Sequence, residues 1–253
     1  MASGSVRVKF HGVAAFEVTT EEDQKILIDP FIEHNQLARA KLTDFPRVDL
    51  LLVSHGAEDH MGDTLALMRQ TKAHLLSGLD VATHIRRNGI PRERTQHVLW
   101  GDLIDFDGIK VKILESKHGS FIDSAGTFLS TIPLGFLVTT HSGIRIYHPG
   151  DTAIFGDLKL FGQLYKPHIG LMPVGNVPGA YAHMDPREAA LATKWLGLRY
   201  AIPMHYWKGS KEPEQFRDEV KKVSPRTKVV LLQPGEEIIA ENGKGLKVNR
   251  VVG

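Results

Sequence analysis

Residues 50 to 63 read Leu-Leu-Leu-Val-Ser-His55-Gly-Ala57-Glu58-Asp59-His60-Met-Gly-Asp63, an apolar run that ends abruptly in histidines and carboxylates. A buried strand that stops in this way puts metal-capable side chains at an open sheet edge. The pattern recurs: His118 follows the apolar stretch 109 to 115, Asp151 follows 144 to 148, and His205 follows 199 to 204. Four strand ends therefore offer imidazole or carboxylate ligands. The chain has no cysteine, which excludes thiolate ligation and disulfides. Imidazole and carboxylate sets suit zinc, iron or manganese, and a set that leaves a coordination position open makes the metal catalytic.

Positioning these residues requires strands on both sides of them. Residues 5 to 10, 14 to 19 and 25 to 28 read as a three-strand meander turning at Gly12, and Asp29-Pro30 ends its third strand. The segment 30 to 47 reads as a crossing loop, Val48 to Ser54 as a strand apolar on both faces, and His60 to about Gln70 as a helix. A short strand at His74 to Leu76 leads to a helix capped by Ser77 and stopped by Asn88-Gly89. Strands follow at 95 to 100, 103 to 106 and 109 to 115. Residues 116 to 132, with His118, Phe121, Ile122 and Phe128, read as an irregular substrate loop. Strands at 133 to 140, 144 to 148 and 168 to 174 come next, then a glycine- and proline-rich loop through Tyr181. Asp185-Pro186-Arg187-Glu188 starts a helix to about Leu196 with an N-cap, a first-turn proline and a capping box. A strand at 199 to 204, a helix at 213 to 223 and strands at 227 to 232, 236 to 240 and 246 to 251 close the chain. Two sheets packed face to face with helices outside, a four-layer αββα sandwich in one domain over residues 1 to 253, satisfy this order.

Composition narrows the class. Hydrophobic residues at 42% and charged residues at 24% describe a soluble globular protein. The 31 basic and 29 acidic residues give a net charge of +2 with no long run of either sign, so nucleic acid is not indicated. No apolar stretch is long enough to span a bilayer and the N-terminus has no signal core, so a cytoplasmic location is expected. The expected partner is a small-molecule substrate, with a homo-oligomer left open. A Gly-x-Ser-x-Gly elbow and a dinucleotide glycine fingerprint are both absent.

The motifs together resemble the metallo-β-lactamase superfamily, in its branch of small metal-dependent hydrolases related to ascorbate-phosphate lactonase and N-acyl-phosphatidylethanolamine phospholipase D. The resemblance runs over nearly the whole chain: Ile28-Asp29-Pro30-Phe31, the stretch His55 to Asp63, the isolated His118, Tyr147-His-Pro-Gly-Asp151-Thr152, His183-Met-Asp-Pro-Arg-Glu-Ala-Ala and Ile202-Pro-Met-His205-Tyr-Trp. It implies an αββα fold and a two-metal site in which Asp59, His60 and His205 hold one metal, His55 and His118 the other, and Asp151 bridges. Zinc is the first expectation, one or two ions per chain, with Mn2+ or Fe2+ as alternatives. The implied activity is hydrolysis of an ester, lactone, amide or phosphodiester of a small molecule by a metal-activated water.

Two positions depart from the family pattern. Ala57 stands where the His-x-His-x-Asp-His motif carries its second histidine, and Val13 where relatives tend to carry a histidine after glycine. The alternative reading is therefore a member that binds metal or ligand with lost or reduced catalysis. Catalytic roles fall to Asp59, Asp151 and His183, the last as a substrate-contacting or proton-transferring residue. Asp29 and Asp63 read as groups that fix ligand imidazoles or backbone, with turn and helix-cap roles as the plain alternative. His148 orients its turn, and His34, His74, His84, His97, His141 and His168 are structural. Phe121, Phe128, Val177 and Tyr181 are the expected pocket walls.

Overall fold

The computed structural model describes residues 4–175, 183–242 and 246–251. The first half contains β1 (Val6–Gly12), β2 (Ala15–Thr19), β3 (Lys25–Ile28), β4 (Leu50–Val53), α1 (Glu58–Met61), α2 (Thr64–Gln70), β5 (His74–Ser77), α3 (Leu79–Arg87) and β6 (Thr95–His97). There follow β7 (Leu103–Phe106), β8 (Ile109–Glu115), β9 (Ser120–Ser124), β10 (Thr127–Thr131), β11 (Leu134–Thr139), β12 (Arg145–His148) and α4 (Asp157–Tyr165). The remainder is β13 (Ile169–Pro173), α5 (Pro186–Leu196), β14 (Tyr200–Met204), α6 (Glu212–Val223), β15 (Lys228–Val229), β16 (Glu237–Asn242) and β17 (Leu246–Val251).

The first sheet has the order β17-β16-β1-β2-β3-β4-β5-β6 and the second β15-β14-β13-β12-β11-β8-β7. Strands β3 to β6 pair in parallel, as do β12 to β15, while the other pairs are antiparallel. Parallel neighbours need crossovers, and helices α1 to α6 lie in or beside those crossovers. Alternation along each strand then separates the layers. Leu50 and Leu52 of β4 point inward with Phe10, Phe16 and Ile28 against Val111, Phe136, Ile146 and Ile202 of the second sheet. Leu51 and Val53 point outward and pack with Leu67, Met68, Val81 and Ile85 of α2 and α3. On the far side Leu137, Tyr147 and Met172 pack with Leu158, Ala189, Leu196 and Phe216 of α4, α5 and α6. Burial on both faces explains the uninterrupted apolar runs. The result is the expected αββα sandwich.

Three local expectations are corrected. Residues 116 to 132 are not irregular: β9 and β10 form a hairpin closed by the two-residue turn Ala125-Gly126, both at positive φ (53° and 75°). Its buried positions are Ser120, Ile122 and Ser124, so two of the three inward residues are polar and the alternation escapes a hydrophobic reading. Helix α4 lies where no element was expected, and α3 starts from Gly78, because Ser77 belongs to β5 and makes no cap hydrogen bond. The expected walls Val177 and Tyr181 lie outside the described residues.

Helix α5 forms as its sequence dictates. Asp185 Oδ1 accepts from the backbone N of Arg187 and of Glu188, both at 2.8 Å, and Glu188 Oε2 accepts from Asp185 N at 3.0 Å. Gly197 ends the helix in the left-handed conformation (φ 65°). Asp185→Ala should cost about 1 kcal/mol, read as a fall in Tm of about 2–4 °C.

Candidate metal centre

Strand ends bring the ligand-type residues to one edge of the sandwich, and a network of carboxylate and hydroxyl contacts sets their orientation. Asp29, at the end of β3, is completely buried and left-handed (φ 46°). Its Oδ1 accepts from Ser54 N at 2.7 Å, while its Oδ2 accepts from Ser54 Oγ at 2.7 Å and lies 2.7 Å from His60 Nδ1. One carboxylate thus ties the end of β4 to the imidazole of α1 and turns His60 Nε2 inward. Ser54 Oγ is also 3.0 Å from His55 Nδ1.

His118 and Asp151 are held by a zipper between their segments. Ser116 Oγ lies 2.9 Å from Pro149 O and 2.8 Å from Asp151 O, Lys117 N donates to Thr152 Oγ1 at 2.9 Å, and Ala153 N donates to Lys117 O at 3.0 Å. His148 fixes the turn between them: its Nδ1 accepts from Gly150 N at 3.1 Å and its Nε2 lies 3.0 Å from Ala14 O. Gly150 is obligatory there, since a Cβ would lie 2.7 Å from Ser54 Cβ at positive φ. His205 follows β14 and is also left-handed (φ 59°); its N donates to Val13 O at 2.7 Å, with Val13 itself at φ 52°. Left-handed backbone at a β-branched residue is strained by about 1–3 kcal/mol. Val13 carries that strain, Asp29 and His205 share the left-handed backbone, and the ligand-type atoms of the strand ends converge on a single point.

The point is Asp151 Oδ2. His183 Nε2 lies 2.5 Å from it, His60 Nε2 3.1 Å, His205 Nε2 3.3 Å and His55 Nε2 3.9 Å. Asp59 Oδ2 is 3.2 Å from His205 Nε2. Three triads each bring one ligand atom per residue within 4.8 Å of one another: His55, His118 and Asp151; Asp59, His60 and His205; and Asp151, His183 and His205. His55 Nε2, His60 Nε2 and Asp151 Oδ1 are buried without a hydrogen bond among the described residues. Each such atom costs about 1–3 kcal/mol unless something satisfies it. Three of them converging fit a divalent cation far better than a packed core.

Charge reinforces this. Burial opposes protonation of His60, yet Asp151 and Asp29 outweigh it and hold the imidazole well above its ordinary pKa. His205 is raised too, against burial, by Asp151 and Asp59. Burial, helped by His60, pushes His55 down to about 3, and burial also lowers His118. Burial disfavours ionisation of Asp151 and Asp59, but the imidazoles around them prevail: Asp151 falls well below the carboxylate range and Asp59 to about 2. Ionised carboxylates in so dry a place need positive charge, from protons or from a metal that displaces them.

All six residues expected to hold metal meet here, and His183 joins them. Glu58 points to solvent, while His11 lies apart from the triads beside Glu17 (3.5 Å) and Phe45. Among the described residues Asp63 touches no imidazole; its Oδ2 accepts from Ile32 N (2.7 Å) and Glu33 N (3.0 Å) and anchors the crossing loop. The role of Ser54 was not foreseen, although its place immediately before His55 was a usable signal. Asp29→Asn should weaken metal binding about 10–100-fold, measured by chelator competition with circular dichroism to verify the fold.

A family model described as a β-lactamase superfamily domain matches residues 24–206. A UPF0173 metal-dependent hydrolase of Rubrobacter xylanophilus is 34% identical over 242 residues, covering 93% of this chain and 97% of its own length. A UPF0173 metal-dependent hydrolase of Thermococcus kodakarensis is 38% identical over 237 residues, covering 92% and 99%. Among solved structures, a metallo hydrolase from the archaeon Ignicoccus hospitalis superposes with a TM-score of 0.80 at 28% identity, over 94% of this chain and 100% of that one. An isothiocyanate hydrolase from Delia radicum gut bacteria has a TM-score of 0.72 at 18% identity, over 93% and 100%, a likeness of fold.

Proposed function

The chain belongs to the metallo-β-lactamase superfamily and is a metal-dependent hydrolase; from that premise we propose that Asp59, His60 and His205 hold one divalent metal and His55 and His118 a second, with Asp151 shared. The observation that carries this is the convergence of His183, His60, His205 and His55 on Asp151 Oδ2 at 2.5 to 3.9 Å. Zinc is the first choice, since the donor set is imidazole and carboxylate alone, with manganese and iron(II) as alternatives. Metal held here supplies Lewis acidity, polarising a carbonyl or phosphoryl oxygen and lowering the pKa of a water.

The chain's own residues do the rest. Asp29 and Ser54 fix the tautomer and tilt of His60. Asp59 would accept the water's proton on a carboxylate oxygen, Asp151 would hold His183 through the contact at 2.5 Å, and His183 would give a proton to the leaving group. The substrate is a small ester, lactone, amide or phosphodiester with an apolar part. Phe121 and Phe128 stack at 6.0 Å on the hairpin beside the site, 57% and 73% exposed, and such rings gain from being covered.

The test is elemental analysis of the purified protein together with assays on p-nitrophenyl esters, lactones, acyl amides and bis(p-nitrophenyl) phosphate. Turnover of one class, abolished by chelator and restored by zinc, is the expected result. Metal uptake without turnover of any class supports the second reading, suggested by Ala57, of a binding protein that has lost catalysis. A chain that takes up no metal overturns both.

A further inference from the structure

The loop that carries His55 is held from a second direction. Gly56 N donates to Ser120 Oγ at 3.0 Å, and Ser120 Oγ donates to Asp80 Oδ2. Asp80 stands in the first turn of α3, where its Oδ1 accepts from Val81 N at 2.7 Å. Asp80 and Ser120 are each 2% exposed, and no cation forms an ion pair with Asp80 among the described residues. Burial alone pushes the Asp80 carboxyl up against its hydrogen bonds. A buried carboxyl whose side-chain partner is a serine is destabilising relative to an apolar residue of the same volume. What it contributes is position.

Packing shows what is positioned. A Cβ on Gly56 would lie 2.4 Å from Ile122 Cγ1 and 2.9 Å from Phe121 O, so β9 rests directly on the metal loop. The hairpin is in turn fixed to α3, with His84 Nδ1 3.2 Å from Ser124 Oγ and Arg87 Nη1 donating to Ser124 O at 3.4 Å. Helix, hairpin and metal loop form one relay, and the same hairpin carries Phe121 and Phe128. The next residue after Gly56 is Ala57, whose methyl group cannot reach a metal, so the loop lacks the anchor that a ligand side chain there would supply.

Resting on the metal-centre reading above, we propose that Asp80 and Ser120 are positioning residues that hold the His55-Gly56-Ala57 backbone in place of the ligand Ala57 does not offer. The hydrogen bonds take over the loop's attachment, and His55 stays aimed at Asp151 although only one side chain of its loop segment can bind metal. The relay acts on the His55 half of the site and on the aromatic wall, and leaves the Asp59, His60 and His205 half untouched.

The experiment uses the zinc-loaded full chain with Ser120→Ala, Asp80→Asn and Asp80→Leu. Hydrogen exchange at the Gly56 amide, stepwise metal affinity and KM against kcat are the readouts. S120A should speed Gly56 exchange at least about 10-fold and weaken the looser metal about 10-fold or more, with the tighter metal unchanged and KM raised. D80N, whose side-chain oxygen still accepts from Ser120, should remain within about 3-fold of wild type. D80L fills the same volume without an acceptor and should reproduce the S120A losses, which keeps the test open if S120A does not fold. Wild-type Gly56 exchange and metal affinities in a folded S120A or D80L, or equal loosening of both metals, overturn the proposal. A wild-type chain that takes up no metal would instead overturn the metal-centre reading, while Gly56 exchange would still report whether the tether exists.

Discussion

Asp151→Ala is expected to abolish metal uptake at both halves of the site and to lower kcat/KM by more than about 100-fold, the upper end of what losing a mere outer partner costs. Among the described residues Asp151 approaches His55, His60, His183 and His205 together, and it belongs to two triads, one with His55 and His118 and one with His183 and His205. Its removal also takes away the carboxylate that holds His60 and His205 above their ordinary pKa. Asp29 still lies 2.7 Å from His60 Nδ1 and Asp59 Oδ2 3.2 Å from His205 Nε2, so each imidazole keeps a carboxylate partner in the variant. Elemental analysis and steady-state kinetics on the purified variant decide the matter. Full metal content together with wild-type turnover would sink the shared-ligand mechanism.

The second large effect concerns asymmetry. On the proposed assignment, metal held by Asp59, His60, Asp151 and His205 would have four protein donors, whereas the half with His55 and His118 would have only Asp151 besides. A chelator titration followed by elemental analysis should therefore remove metal in two steps, the first at a chelator concentration at least about 10-fold below the second. Ala57→His adds an imidazole at the half-buried N-cap of α1, adjoining Asp59 and His60. That variant should bring the two steps together and raise occupancy of the weaker position. Equal affinity in the unmodified chain would mean that another residue already completes the second half. His183 is placed for it, since its ring centroid lies 5.2 Å from that of His118 and its Nε2 2.5 Å from Asp151 Oδ2. His183→Gln would then restore the two-step release.

Much of this was legible from local pattern. The run Leu50 to Val53 is apolar at every position because β4 is covered on both faces, and the polar residues begin where the strand leaves the core. The capping box of α5 needed four consecutive residues and nothing else. Helix α4 illustrates the opposite case. Glycines at 156 and 162 argue against a helix, and Leu160 and Leu164, 43% and 68% exposed, blur the stripe Leu158, Phe161 and Tyr165 that packs on the core. It forms because α5 and the second sheet offer Leu158 a place to bury. The β9–β10 hairpin was hidden for a related reason, since Ser120 and Ser124 occupy buried positions on the strength of hydrogen bonds made only in the folded chain.

What the sequence by itself determined is the inventory: imidazoles and carboxylates without thiolate, set after apolar strands, and an alanine where a ligand is expected. Residue type and strand end follow from side-chain chemistry and from burial along a few neighbouring residues. What only the tertiary structure decided is which atoms meet. The stacking of two sheets brings Asp151 into reach of four histidines drawn from three separate segments, and joins Gly56 to Ser120 across 64 residues and Ser120 to Asp80 across 40. Such contacts are set by the closure of long loops around a common core, and no periodicity along the chain encodes them.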